Sequence, residues 1–131
     1  LISILLVTIF SIALISCGKS KQASSKASVS KNISIEESKK LIDDNKVDLI
    51  LDVRDEKQFK EGHLPKATLI SYKEVKNKIS ELKNFKDKPI LIYCNSGKKS
   101  ADSIKILEEN GFNNIFHMVD GINKWHYEIE K

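Results

Sequence analysis

Arginine is nearly absent from this sequence. Arg54 is the only one among 22 basic residues, and no basic helix or aromatic stacking pattern accompanies it, which argues against a nucleic-acid partner. Long apolar runs are scarce as well. The run at the start, Leu1 to Ile15, falls short of the roughly 20 residues that a spanning helix needs. Cysteine is limited to Cys17 and Cys94, a number that by itself allows one disulfide. Neither His117 nor His126 has ligand spacing, so no metal site is expected. No internal repeat is visible, and 131 residues are enough for one domain and not two.

What is present is organised around Lys88 to Ser100. Ile90 to Tyr93 form a continuous apolar, strand-favouring run, and Pro89 fits the first residue of a strand. The run breaks into a polar loop, Cys94 to Lys99, and a helical pattern begins at Ser100, with Ala101, Ile104, Ile106 and Leu107 apolar. A cysteine is thereby placed at the carboxyl end of a strand, facing a helix N-terminus, where open α/β sheets hold their ligands. Such a loop favours an anion, because inward-turned N–H groups form a nest and the helix dipole adds partial positive charge. Gly97 permits a left-handed turn, Ser96 is small, and Lys98 and Lys99 are expected to add full charges. A thiol in that setting ionises readily. Cys94 is therefore read as a nucleophilic thiolate, with a buried structural cysteine as the alternative.

Residues 1–16 have the length of a signal-peptide core. Leu14-Ile15-Ser16-Cys17 resembles the bacterial lipoprotein signal box, which implies cleavage before Cys17 and a lipid on Cys17. The sequence opens on Leu, and the basic start of such a leader is expected upstream; an uncleaved signal anchor is the alternative. On either reading the domain lies outside the cytoplasmic membrane, in the periplasm or at the cell surface. Lipidation uses Cys17 and leaves Cys94 as an unpaired thiol in an exported protein, a second reason to expect reactivity there. Residues 17–32 are rich in Ser, Lys and Ala and read as a flexible tether. Lys19, Lys21, Lys26 and Lys31 account for the net charge of +4, so the folded part is neutral overall. These lysines read as a solvated linker, with anionic lipid head groups as an alternative contact.

The domain is expected over 33–131. Ser34-Ile35-Glu36-Glu37 fits a capping box opening a helix through about Asp43. Val47 to Val53 reads as a strand buried on both faces. Asp55 caps a short helix through Phe59, Thr68 to Ile70 is a short strand, and Ser71 is expected to cap a helix carrying Val75, Ile79 and Leu82. The helix from Ser100 stops at Asn110-Gly111. Ile115 to Val119 gives another strand, and Asp120-Gly121 turns into a short helix bearing Trp125. Alternating strands and helices imply an α/β domain in three layers, α/β/α, around a small, mostly parallel sheet of four to five strands.

Four pieces, in order, resemble a single rhodanese-like sulfurtransferase domain. They are Leu51-Asp52-Val53-Arg54, then Phe59 to Pro65, then Cys94-Asn95-Ser96-Gly97-Lys98-Lys99-Ser100, then Asp120 to Trp125. With an exported location, the likeness is to small periplasmic thiosulfate sulfurtransferases of the phage-shock type. Asn95 and Lys99 stand where the family loop often carries arginine. Lysine keeps the charge but loses the planar fork that grips an oxyanion. Lys66 stands where the family usually has Gly, and Asp120 where it has the first of two glycines. These departures bear on thiosulfate preference more than on the fold.

The resemblance implies a two-step transfer in which Cys94 takes a sulfane sulfur from a small sulfur-containing anion such as thiosulfate. A thiophilic acceptor, cyanide or a thiol, small or on a protein, then removes it. No metal or organic cofactor is implied, and a monomer is expected. Residues 95–100 form the substrate loop. Asp52 and Arg54 are candidate supporting residues, with an ion pair or a capping role as the alternative. His63 reads as structural, Trp125 and Tyr127 as core, and Lys73, Lys76 and Lys78 as a solvated helix face. Two other functions compete. A Cys-dependent phosphatase or arsenate reductase needs arginine where Ser100 stands and a loop one residue longer. A non-enzymatic sulfur carrier or thiol-sensing binding module fits the same cysteine.

Overall fold

A computed structural model describes residues 29–131. The expected leader, the lipid-bearing Cys17 and most of the expected tether lie outside the described residues. Five strands form one parallel sheet: β1 (Ser30–Ile33), β2 (Leu49–Asp52), β3 (Thr68–Leu69), β4 (Ile90–Tyr93) and β5 (Ile115–Met118). Their order across the sheet is β1-β5-β4-β2-β3. The helices are α1 (Ile35–Asp43), α2 (Glu56–Glu61), α3 (Ile79–Leu82) and α4 (Lys98–Glu109). Among the described residues no helix is long and apolar enough to cross a membrane.

β4 sits at the centre and is buried along its whole length. Its side chains alternate between two cores, as strand geometry requires. Ile90, Ile92 and Cys94 join one core with Leu51, Leu82, Ile104 and Leu107. Leu91 and Tyr93 join the other with Ile33, Ile35, Ile50 and Met118, against which Trp125 and Tyr127 pack. A continuous apolar run is thus a strand covered on both faces, and the expected three-layer α/β architecture is the one observed.

Local chemistry starts and stops the helices. The Ser34 hydroxyl accepts the Glu37 N–H at 3.0 Å, and the Glu37 carboxylate accepts the Ser34 N–H at 2.9 Å. This is the expected capping box, a cap of its kind being worth about 1 kcal/mol. Asp55 caps α2 by accepting the Gln58 N–H at 2.8 Å.

Four expectations are corrected. The tether does not run to Asn32, because Ser30 to Ile33 pair with Ile115 to Met118. Only Ile33 of these four is buried, so this edge strand carries no alternating apolar signal. The helix expected after Ser71 is broken into a 3₁₀ turn (Val75–Lys78), α3 and a second 3₁₀ turn (Lys83–Phe85). None of these pieces has a side-chain cap, and the Ser71 hydroxyl meets only the Lys73 N–H, at 3.4 Å. α4 begins at Lys98, two residues early, because Gly97 takes the left-handed conformation (φ +100°) and ends the loop there. Trp125 lies just past the last 3₁₀ turn, Ile122–Lys124.

Candidate active site

Cys94 follows β4 directly, and its side chain points toward α4. Its sulfur is buried, at 2% residue exposure, yet the polar groups around it are aimed inward. The Gly97 N–H donates to Sγ at 3.1 Å, and the Ser100 hydroxyl lies 3.2 Å away. Burial alone pushes this thiol up. Hydrogen bonding from the Ser100 hydroxyl and from the Ser100, Gly97 and Ser96 amides outweighs it, so the thiol lies below its ordinary value. Neither of the lysines expected to share this task is hydrogen-bonded to the sulfur. Lys98 and Lys99 are exposed, and the Lys99 ammonium sits 4.4 Å from the centroid of the Tyr72 ring. The anion nest is built of backbone and one hydroxyl.

The loop is held from behind by the turn after β5. Ile122 N–H donates to the Cys94 carbonyl at 2.9 Å, and Asn123 N–H donates to the Asn95 carbonyl at 3.1 Å. With those carbonyls pinned outward, the amides that follow turn toward sulfur. The approach requires glycine at 121, where φ is +71° and a Cβ would collide with the Asn95 and Cys94 carbonyls. At Gly97 a Cβ would collide with the Val119 carbonyl.

Asp52 and Arg54 do not reach the sulfur. The Arg54 guanidinium donates to the Asp52 carboxylate at 2.7 and 3.0 Å and to the Gly62 carbonyl at 2.7 Å. Tyr93 O–H donates to the same carboxylate at 2.7 Å and accepts the Leu64 N–H. Tyr93 belongs to the core opposite Cys94, so this buried network ties β2, β4 and the 62–64 turn together and is structural. His63 stacks on Phe59, centroids 3.7 Å apart, with Nδ1 2.9 Å from the Phe59 carbonyl. Asn95 is half-buried and Ser96 exposed at the loop's outer rim. Among the described residues no cluster of three or more His, Cys, Asp or Glu side chains converges on a metal-sized point.

The sequence reading did not foresee the roles of His117 and Asn32 beside the loop. Ser100 Oγ lies 2.6 Å from His117 Nε2, and His117 Nδ1 lies 3.2 Å from Asn32 Oδ1. The only signal was a histidine at an inward position of a buried strand.

A parallel sheet with a buried cysteine at its carboxyl edge, cradled by amides of a strand–loop–helix turn, defines an α/β domain built around an ionisable thiol. The chain belongs to the rhodanese family: the Rhodanese-like domain profile matches residues 34–128. It is 34% identical over 95 residues to the thiosulfate sulfurtransferase GlpE of Pseudoalteromonas translucida (strain TAC 125), covering 72% of this chain and 88% of that one. It is 31% identical over 105 residues to the putative sulfur carrier protein YrkF of Bacillus subtilis (strain 168), covering 80% of this chain. The match spans only 56% of that relative's length. A rhodanese-like domain protein from Staphylococcus aureus superposes with a TM-score of 0.66 at 29% identity, over 76% of this chain and 96% of that one.

Proposed function

We propose that this domain is a sulfurtransferase that carries sulfane sulfur on Cys94. The supporting observation is the cradle itself, in which amide and hydroxyl donors converge on a buried sulfur and lower its pKa. The thiolate attacks the outer sulfur of a donor such as thiosulfate; the S–S bond of the donor breaks and sulfite leaves with the bonding pair. The resulting Cys94 persulfide keeps one negative charge and stays in reach of the same donors. Cyanide or a thiolate then attacks the outer sulfur, and the Cys94 thiolate is regenerated, giving ping-pong kinetics.

Intact mass after incubation with thiosulfate tests this reading. The expected result is a gain of one sulfur atom that maps to Cys94 and is lost on adding cyanide. Cys94→Ser is expected to abolish the gain while leaving the circular dichroism spectrum unchanged; sulfur loading in that variant overturns the assignment. A carrier remains the second reading, favoured by the name of the Bacillus subtilis relative and by Asn95 and Lys99 in place of arginines. Steady-state thiocyanate formation separates the two, since a carrier loads one sulfur and stops without its partner.

The same proposal extends to location. Cys17 carries a lipid that anchors the domain outside the cytoplasmic membrane, and the chain works there as a monomer on its tether. Mass analysis of the membrane-bound protein is expected to show a chain that starts at a lipid-bearing Cys17, and an unmodified Cys17 overturns the anchor.

A further inference from the structure

The Ser100 hydroxyl has one proton and three claimants. They are the Cys94 sulfur at 3.2 Å, the Gly97 carbonyl at 3.1 Å and His117 Nε2 at 2.6 Å. The shortest of the three is the contact with histidine. If Nε2 is bare, it takes the Ser100 proton, and the sulfur then faces only an oxygen lone pair on that side. If Nε2 carries a proton, it donates to Oγ, and Ser100 is free to donate to sulfur. The state of His117 therefore sets whether Ser100 supports a thiolate.

The opposite ring nitrogen bears on which protonated form the site accommodates. Nδ1 faces Asn32 Oδ1 at 3.2 Å, across the β1–β5 register pair Asn32↔His117. Both ring nitrogens thus lie against oxygens able to accept, an arrangement that accommodates a doubly protonated imidazolium. Cys94 and His117 are buried, at 2% and 4% exposure, while Asn32 lies at the exposed edge of the sheet. The other elements around the ring bring one cation and one carboxylate, neither hydrogen-bonded to the ring. β4 contributes Ile92 as the register partner of His117. The adjoining groove, lined also by Ser30 and Asn32, has Lys105 and Glu108 of α4 as its charged residues. The only group on the hydrogen-bonded chain that can become an anion is Cys94.

We propose that His117 is a positioning residue that holds the proton released by Cys94, so that the reactive thiolate exists as a pair with the His117 imidazolium, bridged by Ser100. In forming the pair, the S–H bond breaks and its electrons stay on sulfur. The Ser100 hydroxyl takes up that proton as its own passes to His117 Nε2. No proton leaves the set, and the serine stays neutral, its hydrogen turned from His117 to sulfur. Burial by itself pulls the His117 imidazole below its ordinary range, so the cation persists only where an anion offsets its desolvation. Conversion of the thiolate to a persulfide preserves the negative charge, so the imidazolium persists through a transfer cycle.

The inference rests on Cys94 being the nucleophile, but its test uses no sulfur donor, so its failure is separable from a failure of sulfur transfer. The rate of alkylation by iodoacetamide is measured against pH for the unaltered protein and for His117→Gln, which keeps an N–H donor but cannot hold the proton as a cation. The expected midpoint in His117→Gln is higher by about one unit or more, an alkylation rate about tenfold lower at a pH below both midpoints. The second readout needs no variant. The ring ¹⁵N signals of His117 are followed against pH before and after alkylation of Cys94. Coupling is reciprocal, so the neutral carbamidomethyl group is expected to lower the His117 midpoint. An imidazole that is neutral throughout the thiolate range, or that titrates identically after alkylation, overturns the proposal. So does a folded His117→Gln protein with an unmoved alkylation midpoint.

Discussion

A thiol buried beside Ile92 and Ile104 in one apolar cluster ionises easily only if donors replace the water it lost. Among the described residues Ser100 supplies the one side-chain donor, so Ser100→Ala is expected to raise the alkylation midpoint of Cys94 by about one pH unit, the worth of one hydrogen bond to a charged group. A midpoint that stays in place shows that the amides suffice. The sign of the associated stability change follows from the direction of the shift. The folded thiol titrates below its ordinary value, so the unfolded chain binds the proton more tightly. Folding stability therefore rises as pH climbs from the folded midpoint to the unfolded one, and the whole gain is held above the latter. Urea midpoints measured under reducing conditions should show that slope, and Cys94→Ser should flatten it. The sequence pointed to this cysteine through its place after an apolar run. It misassigned the source of the charge. Lys98 and Lys99 lie four and five residues past Cys94, yet both are exposed and neither is hydrogen-bonded to the sulfur, and nearness along the chain carries no information about direction. Lys99→Gln, which removes the charge, is accordingly expected to leave the alkylation midpoint nearly alone.

The cradle is shaped by two turns, and only the one after Cys94 was read as such. Asp120-Gly121 looked like a helix start. Its role is to press Ile122 and Asn123 N–H groups onto the carbonyls of Cys94 and Asn95, a contact between segments that no local pattern records. Gly121→Ala puts a methyl group into those carbonyls and strains a backbone at φ +71°, ψ −178°, a region nearly reserved for glycine at a cost of about 1–3 kcal/mol. The expected outcome is a folded domain, destabilised by about that much in urea, whose Cys94 alkylates slowly near neutral pH because the amides have turned away. Fast alkylation in that variant would show that the clamp is dispensable. The Asp52–Arg54–Tyr93 network fails differently. Its carboxylate is fully buried, so Arg54→Leu strands a charge and is expected to cost about 3–5 kcal/mol. Arg54→Lys should recover only part of this, because an ammonium cannot serve both carboxylate oxygens and the Gly62 carbonyl in one plane.

At the scale of the whole molecule, the parallel sheet was legible because three of its strands are apolar enough to announce themselves, and the order of strands and helices left one architecture. β1 was not legible. It is an edge strand with one buried side chain, Ile33, at 7% exposure, and its polar residues merged with the lysine- and serine-rich stretch before it. The family profile also begins at residue 34. Yet β1 covers the outer edge of β5 along its full length and places Asn32 against His117. A chain begun at Ser34 keeps the α1 capping residues and loses both contributions. Burial of Ile33 alone is worth about 2 kcal/mol, and the uncovered β5 edge offers unpaired backbone groups to other chains. Compared with a chain begun at Val29, the shorter one is expected to unfold at lower urea by at least that free energy. It should also sediment partly as higher oligomers. If Asn32 supports the imidazolium, its Cys94 should further alkylate with a midpoint shifted toward that of His117→Gln. Equal stability and an unmoved midpoint would assign β1 to the tether, in electrostatic as well as mechanical terms, and would leave the rhodanese fold complete from residue 34.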